Sequence, residues 1–283
     1  MKTLKIAKNE YIKWLVHPRM IVLGCILILL YIMVLQPLKE CAVKLGELVN
    51  LLEGYIGICN SPLFLVFLPI VFLILMSDFP PMDYNMIFLL YRCGRKNWIL
   101  GQFIFLMLAD ATVLAIVFGG LFVPLITDGY WYNGWSNVIT EAVTYFPEEA
   151  GHFIKNLIPP NLYFQLTPFE AATKSTVLLF AYFYLLGMIM MAGKIFGNRM
   201  IGLILSAFII IFGASMAYFD VSAMWFLPAA HAIAAKHYTN FFRQMNCRMW
   251  ISYGYFLFII IGLWSSVSLR RSHLNFNKFT EIE

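Results

Sequence analysis

Chemistry needs polar side chains held close together, and this chain offers few candidates. Its five histidines, His17, His152, His231, His237 and His273, are spread over four segments. His231 and His237 flank Lys236 in the stretch "DVSAMWFLPAAHAIAAKHY", residues 220–238. Imidazoles and an amine at this spacing suit acid–base work or two positions of a metal site. The same residues equally suit a wet membrane interface. No H-E-x-x-H, C-x-x-C or G-x-S-x-G occurs, so the sequence assigns no catalytic residue and no metal site.

A second candidate is a decoy. "GMIMMAGKI", residues 187–195, superficially resembles a phosphate loop, but five residues separate Gly187 from Gly193 and no Ser or Thr follows Lys194. It follows an apolar run instead of a strand, so it cannot cradle a nucleotide. Gly193 and Gly197 read better as a close approach between helices.

Asp110 is the third candidate. It is the only charged residue between Lys96 and Asp128. It sits twelve residues into a predicted span, roughly 18 Å along a helix at about 1.5 Å per residue. A carboxyl at that depth faces the bundle or a watery cavity. Its role is then translocation or proton relay, or else hydrogen bonding to Thr112 or a neighbouring span.

The elements that must position these residues follow from composition. Of 283 residues, 61% are hydrophobic and 12% charged, against about 25% charged in a soluble domain. Residues 20–38, 54–77, 175–193, 200–219 and 249–269 carry no Lys, Arg, Asp or Glu. Each gap matches the roughly 17–25 residues a helix needs to cross hydrocarbon. The runs lack the alternation of an outer-membrane barrel. The predicted fold is therefore all-α and polytopic. It is one transmembrane domain, 1–283, with spans at about 20–36, 60–77, 98–126, 175–192, 200–219 and 250–268.

The basic residues set the orientation. With both termini cytoplasmic, the inner segments 1–19, 78–97, 193–199 and 269–283 hold 13 of the 20 Lys and Arg. The outer segments 37–59, 127–174 and 220–249 hold the other seven, beside nine acidic residues. This is the positive-inside pattern, and it accounts for the +5 net charge without nucleic-acid binding. No small-x-small cleavage site follows the first apolar run, so no cleavable signal is predicted. Cys41 and Cys59 could be bridged across the first outer loop, which spacing alone does not decide.

The opening stretch, "MKTLKIAKNEYIKWLVHPRM", predicts an amphipathic helix ended by Pro18. Leu4, Ala7, Tyr11 and Trp14 share one face, and Lys2, Lys5, Lys8 and Lys13 fill much of the rest. A disordered basic tail is the alternative. Pro62 and Pro69 predict a kinked second span. Segment 127–174, rich in aromatics, predicts an outer cap of interfacial helices. Residues 221–235 are uncharged but too short to span, which predicts a re-entrant or surface-lying outer helix after span five.

This order of features resembles the permease subunits of type-2 ATP-binding-cassette (ABC) exporters. "KNEYIKWLVHPRM" (8–20) is similar to the family's N-terminal elbow helix, here with Glu10, Lys13, Trp14 and Arg19. "LLYRCGRKNWILGQ" (89–102) is similar to the crossover between spans two and three. "FLPAAHAI" resembles the outer re-entrant helix. The loop between spans three and four is larger than the family pattern.

The resemblance implies a coupling helix at Asp83 to Tyr91, on which a separate ATPase subunit docks through Asp83, Tyr84, Arg92, Arg95 and Lys96. It implies that ATP and Mg are held by that partner, with no cofactor on this chain. A second permease copy, or a related permease, completes the pathway in the cell membrane. The cargo is an amphipathic peptide, drug or lipid-like molecule. Two other readings stay open: a membrane-embedded lipid-modifying enzyme and a non-catalytic membrane scaffold.

Overall fold

The computed structural model describes residues 2–81, 90–145, 150–197, 199–241 and 244–270, and almost all of its regular structure is helical. Five helices are long and apolar enough to cross a membrane: Met20–Leu45, Arg95–Leu125, Pro168–Ile195, Met200–Tyr218 and Met249–Leu269. The chain is a multi-pass helical membrane protein. Without water to bond exposed backbone, helices satisfy their own N–H and C=O groups inside the apolar layer.

The N-terminal stretch forms α1 (Lys2–Leu15). Its predicted apolar face needs correction. Leu4 is exposed, whereas Ile6, Ala7 and Glu10 are buried. The first crossing then runs as α2 (Met20–Leu30), a π-helical turn (Tyr31–Leu35) and α3 (Gln36–Leu45). It continues nine residues past the predicted end. Pro37 has no N–H to give, and the widened turn before it, where Gln36 N–H reaches the Tyr31 carbonyl, carries the helix past the gap. Gly46, at φ +70°, ends it.

The second predicted span, 60–77, is not one helix. α4 (Glu53–Asn60) and α5 (Phe64–Leu75) meet at 86°. Pro62 holds Ser61 extended, at φ −86° and ψ 126°, and so breaks the run. The twelve residues of α5 are too few to cross alone. Five helices therefore qualify as spans, or six if the bent pair counts as one. Every residue of α4 is buried, Glu53 and Asn60 included.

The long helix α6 (Arg95–Phe122) follows, and a 3-10 turn extends it to Leu125. Segment 127–174 holds three short helices, α7 (Asn137–Tyr145), α8 (Ala150–Leu157) and α9 (Pro160–Tyr163). A two-residue parallel pairing, Val49–Asn50 with Gly129–Tyr130, ties the loops at that end.

Next come α10 (Pro168–Ile195) and α11 (Arg199–Tyr218). α10 is the centre of the bundle and packs on α4, α6 and α11. Small residues permit this closeness, as packing within an apolar solvent requires. A Cβ on Gly202 of α11 would stand 3.1 Å from the Met190 backbone of α10, and one on Gly187 would stand 2.4 Å from Leu106. Phe72 of α5 and Phe183 of α10 stack at 4.9 Å.

Segment 220–238 is not one helix: it forms a 3-10 turn (Ser222–Phe226), α12 (Pro228–Ala232) and a second 3-10 turn (Ala234–His237), which corrects the surface-lying form of the expectation and not the re-entrant one. Residues 228–235 are all buried. Alanines make this dense packing feasible: a Cβ on Gly213 of α11 would lie 2.7 Å from that of Ala229. The last crossing is α13 (Met249–Leu269), which packs on α10 and leaves Trp250, Leu257, Phe258 and Ile261 exposed.

Candidate functional site

The end of the bundle that carries α1 is a polar junction of four chain segments. α1 lies along the first part of α6. A Cβ on Gly101 would press on Ile6, the Tyr11 hydroxyl shares a 2.7 Å hydrogen bond with Thr112, and Trp14 meets Phe105 edge-on at 6.2 Å. Trp14 Nε1 donates to the Leu75 carbonyl, 3.2 Å away at the end of α5. Arg19 ion-pairs with Asp78. From the other side, Lys194 of α10 donates to the carbonyls of Asp78 (2.9 Å) and Pro80 (2.6 Å). The segment leaving α5 is thus held by both α1 and α10.

The sequence-predicted residues divide accordingly. Trp14 and Arg19 belong to this junction. Glu10 is buried there, with Lys13 Nζ 3.9 Å from its carboxylate. Asp83 and Tyr84 lie outside the described residues. Residues 90–93 are helical, and Gly94 at φ +81° turns the chain into α6. Around that turn Arg92 and Lys96 are exposed and Arg95 is partly buried. Lys2 donates to the Arg92 carbonyl at 3.3 Å, so α1 also reaches this turn. Gly197, at φ +106° with nothing near its Cβ position, serves the turn between α10 and α11; it is not a helix contact.

Asp110 is fully buried, and among the described residues neither carboxyl oxygen has a hydrogen-bond partner. Thr112 does not serve it, because that hydroxyl donates to the Leu108 carbonyl at 2.7 Å. Gln102, two turns earlier on α6, is likewise buried with its amide unpartnered. Such groups are costly in an apolar interior.

His231 and His237 do meet, through a residue the sequence reading passed over. Ser252 of α13 lies between them. Its Oγ is 2.7 Å from His231 Nδ1 and 3.1 Å from His237 Nε2. His231 Nε2 is 2.8 Å from the Trp225 carbonyl. A carbonyl only accepts, so Nε2 carries the proton and Nδ1 accepts from Ser252. The serine oxygen then accepts from His237 Nε2–H, and His237 Nδ1 is left without a partner. Burial pushes both imidazoles below the ordinary histidine range, His237 to about 4 with His231 beside it adding to the fall.

A serine donating to an imidazole has the form of a nucleophile and its base. Here, however, Ser252 and His237 are 0% exposed and His231 only 3%, so the cluster is closed to the surface. Lys236 is turned to Asp220, with which it ion-pairs. Among the described residues no three His, Cys, Asp or Glu side chains are placed to share a metal ion. Cys41 and Cys59 are both buried free thiols.

Glu53 was also missed. Its buried carboxylate accepts from the backbone N–H of Asn50 (3.1 Å) and Ser136 (2.7 Å) and from the Ser136 hydroxyl (2.8 Å). It ties α4 to the cap. A lone acid between "NLL" and "GYIGIC" was the available signal.

Comparison of the chain with family models, curated proteins and solved structures returns no match.

Proposed function

We propose that this chain is the permease subunit of a type-2 ABC exporter, with both termini cytoplasmic in the cell membrane. The junction at the α1 end carries the reading. In this mechanism an ATPase partner pushes on the crossover between spans two and three. The segment that leads into the crossover is gripped by Arg19 and by Lys194. A displacement there is passed to α1 and to the central helix α10 together, as a rigid lever requires. Asp83, Tyr84, Arg92, Arg95 and Lys96 form the docking surface in this reading, and Glu10, Lys13, Trp14 and Arg19 belong to the elbow. ATP and Mg are bound by the partner, and a second permease copy or related permease supplies the other half of the path for an amphipathic cargo.

The test is affinity purification of the tagged full chain from its native membrane. An ATP-hydrolysing subunit should co-purify, and its activity should depend on the permease after reconstitution. Recovery of the chain without any ATPase, from membranes that retain its function, overturns the proposal. A lipid-modifying activity draws no support from the closed His231–Ser252–His237 cluster.

A further inference from the structure

The junction encloses a cavity of about 420 Å³, which the transport reading does not use. That volume lies within the roughly 300–1,000 Å³ of small-ligand sites. Its walls are of two kinds. Trp14, Leu75, Phe79 and Phe105 supply an apolar floor. Lys13, His17, Arg19 and Lys194 supply basic groups, against the carboxylates of Glu10 and Asp78. Glu10 lies near Lys13, and Asp78 is paired with Arg19. The balance is positive. His17 Nδ1 accepts from the Arg19 backbone N–H at 3.2 Å, which leaves Nε2 as the ring's N–H donor.

The surroundings decide what kind of anion fits. The cavity opens at the ends of apolar membrane helices, where headgroups lie. Lys5 and Lys8 are exposed on α1 outside the cavity. A soluble anion has no use for the apolar floor of Trp14, Leu75, Phe79 and Phe105, whereas a lipid rests its glycerol backbone and upper chains there and its phosphate among the basic groups. Basic pockets between membrane helices hold anionic headgroups by this logic. We propose that the cavity between α1, the end of α5 and the end of α10 binds the headgroup of an anionic phospholipid. The phosphodiester lies toward Lys13, His17 and Arg19, and the glycerol backbone rests on Trp14 and Phe105. The inference stands apart from the transport reading, since it needs no ATPase.

The experiment is native mass spectrometry of the detergent-solubilised full chain, titrated with phosphatidylglycerol or phosphatidylcholine of matched chains. The intact chain should retain one phosphatidylglycerol in preference to phosphatidylcholine. Lys13→Gln with His17→Gln should weaken retention about fivefold or more, the share one basic group holds near an anionic headgroup. Lys5→Gln with Lys8→Gln, on the same helix but outside the cavity, should leave it unchanged. Equal retention of both lipids, or equal loss in both double variants, overturns the proposal in favour of diffuse surface charge. Displacement by millimolar inorganic phosphate overturns it in favour of a free-anion site. If the cavity variant fails to insert, a photoactivatable phosphatidylglycerol decides on the unaltered chain. Labelling within 10–19 and 75–81 is the expected result, and labelling spread evenly over the helices overturns it.

Discussion

Ser252 Oγ stands between His231 Nδ1 and His237 Nε2, at 2.7 and 3.1 Å, and so joins the start of α13 to the segment after α11. With both rings neutral, as burial favours, the Ser252 hydroxyl donates to His231 and accepts from His237. A proton on His231 Nδ1 would face the serine's own hydrogen, and one on His237 Nδ1 would face no acceptor.

Acid should therefore loosen this end of the molecule. The ordinary histidine value is 6.5, and the folded value for His237 is about 4. Between these the unfolded segment binds the extra proton and the folded one does not, so stability falls as pH falls. The contribution is complete above about pH 6.5 and is lost by about pH 4, a total of about 3 kcal/mol. Hydrogen exchange over 225–238, corrected for intrinsic rates, should accelerate through that window. His237→Gln keeps an N–H for Ser252 and should flatten the dependence; an unchanged slope in that variant would refute the assignment.

The second prediction concerns Asp110. Asp110→Leu should raise the melting temperature of the detergent-solubilised chain, because an unpartnered buried polar group costs about 1–3 kcal/mol. Asp110→Asn should fold normally yet disturb transport or its coupling to ATP hydrolysis. Unaltered transport in both variants would reduce Asp110 to a packing defect.

The third tests docking at the crossover. Charge reversal at Arg92 and Arg95 should release the ATPase in a pull-down while the chain still inserts, since paired charges at a contact couple by about 1.5 kcal/mol or more. Reversal at Arg270 and Arg271 is the control for lost positive charge; Arg270 lies against the Phe196 ring. Retention of the ATPase in both variants would leave the basic turn a topological anchor.

The fourth concerns Glu53. Glu53→Gln sets an amide N–H₂ among three donors that need an acceptor, and should cost about 2–4 kcal/mol. Protection from hydrogen exchange should fall at 129–141 while α11 and α13 keep theirs. Equal protection across the cap would show that the carboxylate does not hold it.

The helices beyond residue 95 were largely legible, because uninterrupted apolar runs reveal themselves. α11 and α13 begin and end within a residue of their charge-free gaps, and α6 within four residues of its predicted span despite Asp110. The first crossing hid its end, because Lys39, Glu40 and Lys44 read as loop yet are good helix formers. Lys39 there reaches the Pro124 carbonyl at 2.8 Å and Asp128 at 2.6 Å, and it holds the Asp128 carboxyl below the usual carboxylate range. The second span hid its break, since apolarity is blind to an 86° bend. At the junction, the helix that carries Trp14 was legible from its amphipathic pattern, while the pairing of Arg19 with Asp78 was not. Lys194 surfaced only as part of a false phosphate loop. Its partners Asp78 and Pro80 lie more than a hundred residues away, and no local pattern encodes that contact.

The brevity of α5 has a consequence for the lipid around the protein. Twelve residues rise about 18 Å, yet Phe67 and Ile74 on this helix, and Leu63 just before it, are exposed. Acyl chains beside it meet an apolar wall roughly 12 Å shorter than the usual hydrocarbon depth, while those beside α6 meet a full one. The annulus is then uneven, pinched on the α5 flank. Such a protein favours a thin or easily compressed bilayer, and its melting temperature should fall with each lengthening of the acyl chains used for reconstitution.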